Sequence, residues 1–149
     1  VILNRDHTNH CVKLFMSYEN LIGKKLCDIA SNEHLSSVIK ILPFPIASHT
    51  NNTVPTFNYA NDAMLRLFGM HESEFIGLDS RLSATRSNQV ERQKLLDEVH
   101  QHRFIENYQG YRVRKDGTEF FIKKATIWNV YNAEDEFDGQ AVIIYEWSD

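Results

Sequence analysis

Two cations and a group of aromatic residues have the most informative spacing in this 149-residue chain. In the stretch Glu119–Tyr131, strand alternation puts Phe120, Ile122, Lys124, Thr126, Trp128 and Val130 on one face. Phe121, Lys123, Ala125, Ile127, Asn129 and Tyr131 fall on the other. The first set is richer in aromatic and β-branched residues and reads as the core side. The same alternation groups Tyr108, Gly110 and Arg112 in the stretch before it. On a shared inner face Arg112 and Lys124 converge, Gly110 leaves room beside them, and Arg81 approaches from the opposite wall. An inward cation is costly unless it is paired or meets a ligand. Convergent cations would therefore suit a small anion such as a carboxylate, with Tyr108, Thr126 and Trp128 lining the same pocket. The competing reading has Arg112 and Lys124 on a solvated face, or paired with Glu91, Glu98 or Glu106. The face assignment holds only where no β-bulge interrupts the strand.

A second cluster, His49, Asn58, Tyr59 and Asn61, falls where two short strands turn into a helix. It reads either as a polar pocket rim or as local structure, with Asn61 capping the helix and a hydrogen bond anchoring the turn. Trp128 and Tyr108 likewise read either as core aromatics or as ligand platforms. Metal-ligating residue types occur at His7, His10, Cys11, Cys27 and His34, but without a paired spacing such as Cys-x-x-Cys. No Gly-x-Ser-x-Gly, His-Glu-x-x-His or phosphate-loop motif is present. Ser37-Val38-Ile39-Lys40 matches Ser-x-x-Lys in isolation, just before a proline-rich break, and chance explains it. A non-catalytic protein is the expectation.

The elements that must position these residues follow from periodicity. Cys11, Leu14, Phe15, Tyr18, Leu21 and Ile22 have helical spacing, with Gly23 placed to end the helix. A second helix is expected over about Asn32 to Ile41, before Pro43 and Pro45 force extended chain. Residues 1–42 thus read as a helical extension and 43–149 as the main body. Ile46 to His49 and Thr56 to Tyr59 read as strands, Asn61 to Phe68 as a helix closed by Gly69, and His71 to Ile76 as a helical turn closed by Gly77. Asn88 to His102 reads as a helix with Val90, Leu95, Leu96 and Val99 apolar. Asn107 to Arg114 and Glu119 to Tyr131 flank Asp116-Gly117, a strong hairpin signal, and Gln140 to Trp147 is the last strand. The sum is an α+β domain with a five-stranded antiparallel sheet.

Composition narrows the class. Hydrophobic residues make up 42% and charged residues 24%, as in an ordinary globular domain. A net charge of −4 argues against broad nucleic-acid binding, which needs a basic face. No apolar run approaches the ~20 residues of a membrane helix. Two cysteines do not make a disulfide scaffold, and a cytoplasmic location is expected. Val1 with no signal-like segment after it reads as an internal starting point.

Three segments resemble PAS domains in the order that family shows them. They are Phe57-Asn58-Tyr59-Ala60-Asn61-Asp62-Ala63, Phe68-Gly69-Met70-His71-Glu72-Ser73-Glu74-Phe75-Ile76-Gly77 and Arg114-Lys115-Asp116-Gly117-Thr118-Glu119-Phe120. Further segments resemble one PAS-like family, the MEKHLA domain, over about Ser17 to Trp147. These include Ser17-Tyr18-Glu19-Asn20-Leu21, Ser48-His49-Thr50, Ser80-Arg81-Leu82-Ser83-Ala84, Glu91-Arg92, Tyr108-Gln109-Gly110-Tyr111-Arg112, Ala125-Thr126-Ile127-Trp128-Asn129 and Gly139-Gln140-Ala141. The resemblance implies a PAS-like five-stranded sheet with helices on one face. Small molecules bind such folds between the sheet and those helices.

That family occurs in bacterial stand-alone proteins and at the C-terminal end of plant homeodomain–leucine zipper regulators. These residues carry no homeodomain or zipper, so the DNA-binding role does not transfer. Light-sensing flavin PAS domains need a reactive cysteine after the first strands, whereas both cysteines here precede Pro43. Haem-binding PAS domains use a histidine on the long helix, where His100 and His102 sit near the end and read as surface residues. No cofactor is expected. The expected role is a sensor that binds a small metabolite, an anion being one candidate, and signals through the N-terminal helices. The alternative is a protein–protein interaction domain with a filled core. The expected partners are a small-molecule ligand and a second copy in a homodimer, with neither nucleic acid nor membrane. A site of ~300 Å³ or more would favour a ligand.

Overall fold

A computed structural model describes residues 2–29 and 34–149 of the chain. Helix α1 spans Ile2–Ile22, longer at its start than the apolar spacing indicated, and α2 spans Leu35–Ile41. The expected start of α2 at Asn32 lies outside the described residues. Strands β1 (Ile46–His49) and β2 (Phe57–Ala60) lead into α3 (Asp62–Phe68) and the single turn α4 (Glu72–Phe75). Two 3-10 turns, Ser80–Ser83 and Arg86–Asn88, precede α5 (Gln89–His102). Strands β3 (Phe104–Val113), β4 (Glu119–Tyr131) and β5 (Phe137–Ser148) complete a five-stranded sheet in the order β2-β1-β5-β4-β3, with every neighbouring pair antiparallel.

The sheet separates two apolar clusters. On one face α3, α4 and α5 cover Met64, Phe68, Phe75, Leu95, Val99, Phe120, Ile122, Ala125, Ile127 and Ile144. On the other, α1 lays Cys11, Leu14, Phe15 and Tyr18 over Trp128, Val130, Ala141 and Ile143. The outer face is thus covered by this chain's own helix. Gly23 ends α1 at φ 85°, its N–H donating to the Glu19 carbonyl at 2.9 Å.

Asn61 shows why α2, β1 and α3 meet. Its Oδ1 accepts from the N–H of Met64, capping α3 at 3.1 Å, and from the N–H of Ile46 at 2.9 Å. Its Nδ2 donates to the carbonyls of Ile39 (3.0 Å) and Phe44 (2.9 Å). All four bonds of a fully buried amide are spent on backbone, so Asn61 is local structure.

One register feature corrects the face assignment of β4. Tyr108 pairs with Ala125 and Gly110 with Ile122, so β4 carries one extra residue at Lys123–Lys124, and its pairing with β5 shifts at the same place. Phe120 and Ile122 face the α3–α5 side, as expected. Beyond the bulge it is Ala125 and Ile127 that do, while Lys124, Thr126, Trp128 and Val130 turn toward α1. Simple alternation would bury Lys124, and the bulge leaves both lysines exposed. The apolar pattern of α5 also departs from what is buried: Val90 is 78% exposed and the buried stripe runs Arg92, Leu95, Val99.

Candidate functional site

Between α5 and the inner face of the sheet lies a cavity of about 70 Å³. Its lining is mostly apolar, including Phe57, Met64, Phe68, Leu96, Phe120, Ile122 and Val142, with Ser48, His49, Ser83, Arg92, Tyr108, Arg112 and Gln140 as its polar members. The expectation from the sequence was Arg112 and Lys124 on this wall with Arg81 opposite; of these three only Arg112 lines the cavity, which holds two cations. Arg112 is one. The other is Arg92 from α5, not Lys124 from β4.

Arg92 is 4% exposed and Arg112 8% exposed. The Arg92 guanidinium donates to Ser80 Oγ at 2.9 Å. Burial, and then the neighbouring charge of Arg112, lower its pKa to about 10, so it stays charged at neutral pH. Arg112 donates to its neighbour's carbonyl, Tyr111 O, at 2.6 Å and lies 5.5 Å over the Tyr108 ring. The carboxylate nearest to it is that of Glu91, at 3.9 Å on a side chain 51% exposed. Asp79, the other nearby acid, is held in a bidentate pair by Arg81. Two buried guanidiniums therefore share a low-dielectric wall with one solvent-facing anion. That leaves an excess positive charge which an incoming carboxylate would neutralise.

Tyr108 supports the arrangement. Its hydroxyl donates to Glu91 at 3.0 Å, and its ring lies over Gly110. A Cβ on Gly110 would sit 2.0 Å from the Tyr108 hydroxyl oxygen. The room that Gly110 leaves is thus taken by the phenol rather than by a ligand. Gly110→Ala should displace Tyr108, release Glu91 and lower stability by about 1–3 kcal/mol, the usual cost of overpacking. Denaturant melts would check this, and the loss should shrink in a Tyr108→Ala background.

His49 is at the β1 end of the cavity. Its Nδ1 is 3.0 Å from the Thr50 carbonyl. Its Nε2 is the one buried side-chain nitrogen or oxygen among the described residues with no hydrogen-bond partner. The adjacent residue, Ser48, links the cavity strand to α1. Its Oγ donates to Asn58 Oδ1 at 2.5 Å and lies 2.8 Å from His10 Nε2. Burial lowers the pKa of both histidines to about 4 from 6.5, with Lys13 adding to the effect at His10 and Arg92 at His49. A depressed histidine pKa favours the neutral ring in the folded chain. The stability it contributes is complete above pH 6.5 and is lost as pH falls toward 4. Each should take away about 2 kcal/mol between pH 7.5 and pH 5. Urea titrations at the two pH values would measure it, and a His10→Gln variant should lose about half the pH dependence.

The remaining predicted site residues lie elsewhere. Lys124 is exposed, its ammonium 6.0 Å from the Tyr145 ring centroid, and it borders a surface groove with Thr126, Tyr18, Lys24 and Lys25. Trp128 is fully buried against α1, and Tyr59 packs there beside His7, His10 and Cys11. Arg81 is exposed and spent on Asp79. His100 meets the Phe137 ring edge-on, and neither it nor His102 lines the cavity. Among the described residues no three His, Cys, Asp or Glu side chains gather as metal ligands would, and no helix is long and apolar enough to cross a membrane.

The sequence profile of the MEKHLA domain matches residues 8–149. The chain belongs to the MEKHLA domain family. No curated protein matches this MEKHLA domain in sequence. Among solved structures, the PAS domain of a protein from Colwellia psychrerythraea superposes with a TM-score of 0.66 at 12% identity, covering 76% of this chain and 94% of that one. An RNA-binding light-oxygen-voltage receptor also reaches 0.66, at 15% identity, over 83% of this chain and 36% of the receptor. A LOV domain from a blue-light activated histidine kinase of Erythrobacter litoralis gives 0.59 at 17% identity, over 72% of this chain and 99% of that domain. These likenesses establish the PAS fold for the MEKHLA domain. The flavin of light-sensing PAS domains does not fit here. The cavity, about 70 Å³, is too small for a tricyclic ring, and Cys11 and Cys27 both pack in the α1-side cluster, away from it.

Proposed function

We propose that this MEKHLA domain is a non-catalytic, cytoplasmic signal-sensing module whose inner cavity takes a small carboxylate. One observation carries the reading: two buried arginines, Arg92 and Arg112, on the wall of an apolar cavity whose nearest acid faces solvent. Their guanidiniums offer the planar, multi-donor geometry that suits a carboxylate. The cavity is smaller than the ~300 Å³ of typical ligand sites. At ~10–15 Å³ for each water-sized sphere, its about 70 Å³ holds a molecule of only a few heavy atoms unless it expands.

Signalling would run through α1. Ser48 and His10 join β1 to that helix, Ser17 ties it to β4 through the backbone of Tyr131, and Lys13 ties it to β5 by pairing with Asp138. A ligand that binds one arrangement of β1 better than another shifts the population of α1 positions by that difference in affinity.

The test is the mass of the chain taken natively and after denaturation, followed by thermal shifts with short carboxylates. The expected result is a small acid lost on denaturation, or melting raised by butyrate but not by butyramide. A clean mass with no shift from any carboxylate would overturn the reading. The small size of the cavity favours a second reading, an interaction domain with a filled core. The half-exposed Tyr111, packed on Phe121 at 4.8 Å on the outer face, is then the surface for a second copy. A dimer mass that no carboxylate alters would support it.

A further inference from the structure

We infer that the ligand of this cavity is a carboxylate that also carries a hydrogen-bond donor, a hydroxy acid in the simplest case, and that His49 Nε2 accepts from that donor. The inference rests on the carboxylate reading above and specifies the other end of the molecule.

The tautomer follows from geometry. Thr50 O can only accept, so at 3.0 Å the His49 Nδ1 must carry the hydrogen and donate it. Nε2 is then left with a bare lone pair. Two neighbouring side chains carry N–H groups, and neither donates to it: the Arg92 guanidinium bonds Ser80, and the Gln140 amide has spent both of its N–H groups elsewhere. Gln140 Nε2 donates to the Leu96 carbonyl at 3.0 Å and to Asn129 Oδ1 at 3.2 Å. Asn129 in turn donates to the His100 carbonyl at 3.1 Å, so this part of the network is closed and Gln140 is not free to turn. A buried acceptor without a donor costs about as much as a lost hydrogen bond. Here it lies in the lining of the same cavity as Arg92 and Arg112. The site therefore presents cations for an acid group and a neutral acceptor for an OH or NH, with apolar side chains between them.

The selectivity this gives has a sign. An alkanoate would satisfy the arginines and leave Nε2 unpaired. The matching ω-hydroxy acid would satisfy both, and one hydrogen bond to a buried acceptor is worth about tenfold in affinity.

The experiment titrates the 149-residue chain with propionate, butyrate and valerate and with 3-hydroxypropionate, 4-hydroxybutyrate and 5-hydroxyvalerate. Calorimetry gives the affinities, and ¹⁵N spectra of the histidine rings give the tautomer. The expected result is an Nδ1–H tautomer for His49 in the free protein. At least one hydroxy acid should bind about tenfold tighter than its alkanoate and move the Nε2 resonance. In His49→Phe the hydroxyl preference should vanish. Alkanoates and hydroxy acids binding alike, or a free-state Nε2–H tautomer, would overturn the inference and leave the carboxylate reading standing. No binding by any of the six would overturn both. The tautomer and the wild-type affinities decide the matter even if the variant does not fold.

Discussion

Arg92→Met should weaken butyrate binding by about 100-fold while leaving the free protein as stable as before, or more so. The two halves of this result have the same cause. Arg92 is 4% exposed, its one side-chain hydrogen bond is to Ser80 Oγ, and its nearest strong electrostatic neighbour is another cation, Arg112. Asp79, itself paired to Arg81, offsets this only in part, so the buried charge is a standing cost to the fold, and replacing it with an apolar side chain of similar length removes that cost. In the bound state the same charge faces the carboxylate at low dielectric, where a charge-assisted hydrogen bond and its Coulomb attraction are worth about 2–3 kcal/mol. Calorimetry and urea melts on one preparation check both halves. A variant that loses stability and keeps its affinity would make Arg92 a structural residue. Arg112→Met should lose affinity comparably, but it also removes the partner of the Glu91–Tyr108 pair, so its stability should not rise.

Trp128→Ala should cost about 3–5 kcal/mol, the range for emptying a large buried aromatic site. Trp128 is wholly buried where α1 crosses β4, its indole N–H donating to the Leu14 carbonyl at 3.2 Å and its ring edge-on to Tyr18 at 5.0 Å. The cavity left behind would fall between α1 and the sheet, so α1 should loosen first. Amide exchange should rise across residues 8–22 before it rises in α3–α5. Trp128→Phe keeps most of the apolar contact and should cost about 1–2 kcal/mol through the lost hydrogen bond and volume. If α1 signals, the same variant should also blunt any ligand-induced change in α1 exchange. An alanine variant within 1 kcal/mol of the parent in urea titration would show that α1 is not held through this residue.

How much of this was legible in the sequence depended on how local each signal was. Asn61 followed by Asp62 and Ala63 marked a helix start, and the side chain does cap α3. Asp116-Gly117 marked the β3–β4 hairpin, and Gly117 has φ 88° there. The limits of β1 and β4 match their apolar patterns. The cationic wall was half legible. Arg112 and Tyr108 line the cavity, because β3 alternates regularly from Tyr108 onward. Lys124 does not, because a one-residue bulge resets every position after it, and no pattern in Phe120–Val130 marks where the extra residue sits. Arg92 was passed over for the opposite reason. The apolar residues of that helix, Val90, Leu95, Leu96 and Val99, do not mark it, since Arg92 is charged and yet buried in line with Leu95 and Val99 while Val90 is exposed. Buried polar function is where sequence patterning is expected to fail, since patterning rests on the rule that the site breaks.

The most direct test of the central claim is to follow the side-chain Nε–Hε resonances of Arg92 and Arg112 while butyrate, and separately butyramide, is added. The structure predicts that butyrate moves both resonances together and saturably, that butyramide does not, and that the movement disappears in Arg92→Met. Both resonances staying unmoved at a butyrate concentration that saturates any other response of the protein would contradict a carboxylate site between α5 and the sheet.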